Sequence, residues 1–214
     1  LFLIVFYGKG GREMNTYYLD MPFNEADIAK LRVNDTVYIS GKIYTARDMA
    51  HYKIKKLLDQ HEEFPEDFKG FAIFHAGPIV KQNLETGGYT ISSIGPTSSI
   101  RMEPYTDMVG GLGIKVLIGK GGMGEGTTAA MKKHNMVYLL AAHGCAAVHT
   151  QKVTQIYKQY WMEEVGMPEA LWVMECKEFG PLIVGIDSTG RNLFEETRKN
   201  SQAAILEKYS VQKG

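Results

Sequence analysis

Cysteine is almost absent from this chain: Cys145 and Cys176 are the only two in 214 residues, and neither sits in a Cys-x-x-Cys or Cys/His metal spacing. Both are expected to be buried thiols in a reducing cytoplasm. Two are too few to supply, from this chain alone, the cysteine ligands that an iron-sulfur cluster usually takes. Long apolar runs are missing as well. No stretch approaches the ~18 residues of a membrane span, and residues 1–6 are apolar but too short and wrongly flanked for a secretory signal. Net charge is missing too: Lys plus Arg and Asp plus Glu stand at 24 each. No overall field therefore draws the protein to nucleic acid or to a membrane surface, and any anion binding must be local. Repeats, low-complexity tracts and dividing linkers are absent, so one domain is expected over residues 14–214. Residues 1–13 then read as an extension ahead of Met14.

What is present is ordinary globular material, 44% hydrophobic and 22% charged, enough to bury one core. Short apolar or alternating runs at 37–39, 71–74, 89–94, 116–118, 137–141, 171–174 and 182–186 end at Gly, Pro or Asn, which predicts seven strands. Helical patterns fall at 48–61, 126–134, 153–161 and 192–209. The fold class is α/β with a largely buried sheet. The widest non-periodic stretch, 95–113, is polar, and a long polar loop in a compact domain is more often functional than accidental.

Four loops carry candidate chemistry. In Thr45-Ala46-Arg47-Asp48, a strand gives way to a helix with Thr45 placed as an N-cap, and Arg47 offers a carboxylate fork. A plain capped helix whose Arg47 pairs with a nearby acid reads equally well. Gly95-Pro96-Thr97-Ser98-Ser99-Ile100-Arg101 places three hydroxyls at a helix start, with Arg101 on the face of Thr97. That suits a carboxylate or phosphate cradle, or simply a capping turn. Gly119-Lys120-Gly121-Gly122-Met123-Gly124 satisfies G-x-G-x-x-G, yet the next strand is followed by Ala142-His143-Gly144 where an acidic residue should meet a ribose. A Walker loop fails because Gly121 follows Lys120. A glycine-rich turn presenting Lys120 to a small anion remains, beside a bare structural turn. The fourth is a pair of turns, His75-Ala76-Gly77-Pro78 and Phe179-Gly180-Pro181; His75, His143 and His149 are read as structural histidines.

Arg47, Arg101, Lys120 and the hydroxyls suit a small dianion. A lyase acting on a dicarboxylate must hold two carboxylates, remove a proton beside one and expel hydroxide from the neighbouring carbon. The last task calls for a Lewis acid, which these loops do not bind.

These residues resemble the β subunit, or C-terminal domain, of class I iron-sulfur fumarate hydratase and L(+)-tartrate dehydratase. The matching stretches begin at Gly41-Lys42-Ile43-Tyr44-Thr45-Ala46-Arg47-Asp48 and Phe74-His75-Ala76-Gly77-Pro78. Gly95-Pro96-Thr97 with Arg101-Met102, Gly119-Lys120-Gly121, Gly166-Met167-Pro168-Glu169-Ala170 and Phe179-Gly180-Pro181 follow in the family's order, within residues 27–194. The resemblance implies a swivelling β/β/α domain, a single domain with a mixed sheet and flanking helices. It implies a partner α subunit whose three cysteines hold a 4Fe-4S cluster, in an α2β2 assembly. It places Arg47, Arg101 and Lys120 on the substrate and gives Thr97 the proton transfer. Ser98 stands where the family usually has Thr, which keeps the hydroxyl. The implied reaction is reversible hydration of fumarate to L-malate, with dehydration of L-tartrate to oxaloacetate as the near alternative. A standalone anion-binding or regulatory domain is the reading from another class.

Overall fold

The computed structural model describes residues 13–85 and 87–210. The expected extension at residues 1–13 lies outside them, Glu13 excepted. In chain order the elements are β1 (Thr16–Asp20), α1 (Glu25–Ala29), β2 (Thr36–Thr45), α2 (Asp48–Asp59), β3 (Ala72–Phe74), β4 (Ile79–Gln82) and β5 (Tyr89–Ser93). A 3-10 helix (Ser99–Tyr105), α3 (Thr106–Gly111), β6 (Val116–Gly119), α4 (Glu125–His134), β7 (Val137–Ala141) and α5 (Ala146–Lys152) come next. The chain continues through β8 (Val153–Tyr160), α6 (Met162–Val165), β9 (Leu171–Ile186) and α7 (Leu193–Ser210). Among the described residues no helix is long and apolar enough to cross a membrane.

Five strands close into a barrel. Parallel pairs join β2 to β3, β3 to β6 and β6 to β7. β9 then pairs antiparallel with β7 and returns antiparallel to β2, which closes the ring. β1 extends the sheet alongside β2 and β8 alongside β9, so the sheet is mixed and the fold α/β with flanking helices, as expected. Alternation along each strand sorts the core into two sets. Ala72, Phe74, Val116, Ile118 and Trp172 fill one side, while Ile73, Leu117 and Val173 face the other with Ile54 of α2 and Met131 of α4. Because both faces are covered, β3 and β6 are buried at every position, which accounts for their unbroken apolar runs.

Three expectations change. The helix expected over 153–161 is instead a strand, β8 (Val153–Tyr160). Its pairing with β9 slips between Val153 and Gln155 and again between Ile156 and Lys158. Each bulge adds a residue, so the half-buried positions recur every third residue and imitate a helical period. The runs 171–174 and 182–186 belong to the single strand β9, and Phe179-Gly180-Pro181 lies inside it rather than at a turn. There the missing Gly180 side chain admits β2, since a Cβ would stand 2.8 Å from the Val37 carbonyl oxygen. Residues 95–113, read as irregular, hold the 3-10 helix and α3. β1 and β4 had no expected counterpart; β4 pairs only with β5, in a two-stranded hairpin.

Candidate functional site

β2, β3 and β6 run parallel, so their C-terminal ends open on one rim of the barrel. Loops beyond such ends are where α/β sheets bind ligands. Backbone bonds lace them together. His75 N–H donates to the Ile118 carbonyl (2.7 Å), Thr97 N–H to the His75 carbonyl (2.8 Å) and Ser99 N–H to the Lys120 carbonyl (3.1 Å). The bridges Ala76 to Pro96 and Ser98 to Lys120 complete the seam. Residues 96–99 are therefore clamped between the ends of β3 and β6, which sets Thr97 beside Lys120 along the chain's own hydrogen-bond network.

Side chains continue the seam towards α2. The Arg101 guanidinium donates to Thr97 Oγ1 (3.1 Å), and it grips Asp48 with Nε on Oδ1 (3.2 Å) and an η nitrogen on Oδ2 (3.0 Å). Asp48 follows Arg47 directly, so Arg47, Arg101, Thr97 and Lys120 share one neighbourhood. The expected placement of Arg101 over Thr97 is thus observed, in a 3-10 rather than an α-helical turn. Lys120 is half-buried, and among the described residues it has no ion-pair partner.

The N-cap expectation at Thr45 needs correcting. Thr45 closes β2, is fully buried, and its hydroxyl has no partner among the described residues; the N-cap of α2 is Arg47, whose own side chain makes no capping bond. A carboxylate 120 residues away in sequence does the work instead: Glu169 Oε2 accepts from Met49 N–H (3.1 Å), and Oε1 pairs with an Arg47 η nitrogen (2.9 Å). Sequence reading placed Glu169 in a matching stretch but saw no role for it, because no local spacing announces a partner so distant.

The glycine-rich loop is built around its neighbours. A Cβ on Gly119 would overlap Ser99 Oγ outright and stand 3.2 Å from His75 Nδ1. At Gly124 a Cβ would come within 2.6 Å of Glu103 Oε1. Glu103 accepts from the Gly124 N–H and from Thr127 Oγ1, so a carboxylate of the chain itself occupies the N-terminus of α4. A dinucleotide would need that place for its pyrophosphate, which removes the Rossmann reading. An adjoining hollow of about 320 Å³ is lined by Ile100, Gly122, Met123, Phe194 and Arg198 among others; it flanks the cations and contains none of the four candidate residues.

Burial decides the histidines. It pushes His51 down to about 4, against the opposing pull of the Arg47 carbonyl oxygen 2.8 Å from Nδ1. Burial and the neighbouring His51 hold His75 well below the ordinary imidazole range, and neither His75 ring nitrogen has a protein partner. The His51 ring meets His75 edge-on and stacks on Tyr105. His149 Nε2 donates to the Ala142 carbonyl (2.8 Å) and the ring packs on Phe74 and Phe179, while His143 is exposed. Of the cysteines, Cys176 is buried, its thiol pushed up to about 12 by burial, but Cys145 is exposed at the start of α5, contrary to expectation. Cys145 sits in the surface turn that leaves β7, where no core covers it. Both thiols are free, and among the described residues no cluster of His, Cys, Asp and Glu could hold a metal ion. An iron-sulfur cluster does not fit the donors of this chain.

The family model of the fumarase C-terminus matches residues 8–197. The chain belongs to the fumarase C-terminus family. Its similarity to a putative L(+)-tartrate dehydratase subunit beta of Methanocaldococcus jannaschii is 42% identity over 174 residues, 81% of this chain and 88% of the relative. The L(+)-tartrate dehydratase subunit beta of Escherichia coli K12 is 40% identical over 182 residues, 85% and 88% of the two chains. A putative fumarate hydratase class I of Geobacillus stearothermophilus is 39% identical over 199 residues, 92% of this chain but 36% of the relative. Within this family the same unit thus occurs both as a chain of similar length and as part of a longer one.

Proposed function

We propose that this member of the fumarase C-terminus family is the β subunit of a two-subunit hydro-lyase acting on a four-carbon dicarboxylate in the cytoplasm. Arg47, Arg101 and Lys120 hold the carboxylates and Thr97 moves the proton. The observation that carries this reading is the Arg101 side chain, which joins Thr97 Oγ1 to Asp48 next to Arg47, one loop from the unpaired Lys120. A threonine hydroxyl alone is a weak base. An arginine N–H on its oxygen stabilises the deprotonated form more than the neutral one, which shifts Thr97 towards that role. In the dehydration direction Thr97 takes the proton from the carbon beside a carboxylate, and hydroxide leaves the neighbouring carbon.

In this reading the Lewis acid is a 4Fe-4S cluster held by an α subunit in an α2β2 assembly, a division supported by the two cysteines of this chain and by the subunit names of its relatives. When bound, such a cluster supplies electrophilic help to the departing hydroxyl. This chain's share is binding, orientation and proton movement.

Reversible hydration of fumarate to L-malate is the reaction proposed first. Dehydration of L-tartrate to oxaloacetate is the second reading, favoured by the names of the relatives that match over 88% of their length. Turnover of the reconstituted complex on both acids separates them: malate inert while L-tartrate yields oxaloacetate overturns the fumarate reading. Failure to bind any α subunit, with retained affinity for small anions, would favour a standalone anion-binding domain.

A further inference from the structure

Gly166-Met167-Pro168-Glu169-Ala170 contributes none of the cations or hydroxyls assigned to the substrate, yet it is fastened to the rim with unusual care. Glu169 N–H and Ala170 N–H both return to the Gly166 carbonyl, at 3.1 and 3.0 Å. The Met167 carbonyl accepts from Trp172 Nε1 (2.8 Å), and its sulfur lies 3.3 Å from the Val80 N–H. On the opposite side Gly77 clears the approach. A Cβ there would overlap the Pro168 carbonyl oxygen, stand 2.9 Å from Pro168 Cβ and 3.0 Å from Arg47 Cδ. Three loops that are distant in sequence therefore interlock at one point, and Glu169 is delivered to that point on a backbone already ordered.

At this point its two oxygens divide their work: one caps the first turn of α2 through Met49 N–H, the other holds an η nitrogen of Arg47. Arg47 is itself the cap residue, so its side chain and the first turn of the helix it opens are held by the same carboxylate. Both partners keep only about a quarter of their side-chain surface exposed, 26% for Arg47 and 21% for Glu169, which limits solvent screening of the pair. A guanidinium has five N–H donors; Glu169 holds one η nitrogen and Nε is buried without a partner among the described residues, which leaves the second η nitrogen uncommitted in a set orientation.

We propose that Glu169 is a positioning residue that fixes the Arg47 guanidinium for a substrate carboxylate; the functional half of this statement rests on the dicarboxylate reading above. Glu169→Gln keeps an acceptor for Met49 N–H and removes the charge that orients Arg47, so it separates the cap from the ion pair. In the full chain, the Arg47 Nε–H resonance, identified by its loss in Arg47→Lys, is expected to be sharp in the wild type and broadened in Glu169→Gln, with the melting temperature little changed. An unchanged resonance, or one lost only together with the fold, overturns the proposal. In the complex with the α subunit, titration with succinate is expected to show about tenfold weaker binding for Glu169→Gln, the scale of one charge-assisted hydrogen bond. In an Arg47→Lys background the same change should have no effect on that affinity; a persistent effect means that Glu169 does not act through Arg47. If the wild-type complex fails to bind succinate at all, the dicarboxylate reading falls, and the orientation of Arg47 by Glu169 is still decided by the resonance.

Discussion

Lys120 and the two arginines are held differently, and the difference sets what substitution at each should do. Arg47 and Arg101 are ion-paired within the chain, whereas Lys120 has no ion-pair partner among the described residues. Lys120→Ala should lower kcat/KM on the dicarboxylate about 10- to 100-fold, the worth of one hydrogen bond to a charged group, without moving the melting temperature. An unchanged kcat/KM would remove Lys120 from the site. At Thr97, Ser retains the hydroxyl and Val does not; Thr97→Val should cost about 10²- to 10⁴-fold in kcat, the usual worth of a general base, while Thr97→Ser keeps a measurable share. Equal activity of the two variants would end the proton-transfer role. The histidines give a stability prediction instead. Burial lowers His51 to about 4 from 6.5 and lowers His75 as well, so the unfolded chain takes up protons that the folded chain refuses. Stability from this source is fully present above pH 6.5 and falls as the pH drops from there towards 4. Melting temperatures across that window should decline, and less steeply in His51→Phe. Arg47, Thr97, Arg101 and Lys120 stand out in the sequence as cations and a hydroxyl in strand-end loops, and the fold sets those loops on one rim. Asp48, Glu103 and Glu169 as their supports were not, since each acts on a partner brought near only by the fold.

At the scale of elements, legibility followed burial. β3, β6 and β7 are covered on both sides, and their apolar runs stand out; β8 is an edge strand whose two bulges disguise its period. β9 was read as two strands because Glu175 to Pro181 interrupts its apolar ends, although pairing with β2 continues past Phe179. Two places couple these elements tightly enough to test. Glu66 accepts from Tyr44 of β2 (3.0 Å) and Tyr160 of β8 (2.7 Å), and pairs with Lys158 of β8 (2.5 Å). Burial works against its charge, but Lys158, Tyr160 and Tyr44 together hold its carboxyl down to about 2 from 4.5. Its contribution is present above pH 4.5 and is lost as the pH falls towards 2. Glu66→Gln should destabilise the fold by about 2 kcal/mol, as loss of hydrogen bonds to a charged group does, and should flatten that acid limb in chemical denaturation. The second place is Gly119. Gly119→Ala drives a methyl into Ser99 Oγ and should cost about 1–3 kcal/mol as overpacking. Adding Ser99→Gly should recover part of it; no recovery would mean that the collision lies elsewhere.

For the molecule as a whole, two cysteines, Cys145 exposed and Cys176 buried, are too few to ligate a cluster, and the proposed function assigns the metal to a partner. Iron should accordingly be found in the purified complex with an α subunit and not in this chain purified alone; stoichiometric iron in the lone chain would overturn that division of labour. The α/β class and the mixed sheet could be read from periodicity. Closure of the barrel could not, because it depends on one strand meeting two others that lie far from it in the chain. β9 is that strand, pairing with β2, β7 and β8. Its position late in the chain has a consequence for synthesis. A nascent chain halted before residue 171 leaves β2 and β7 with open edges, and the loop bearing Glu169 has no barrel wall to stand on. Arg47, Thr97 and Lys120 are all translated long before they are brought into register. A ribosome therefore displays their loops early, and the barrel wall behind them is complete only once β9 has been made.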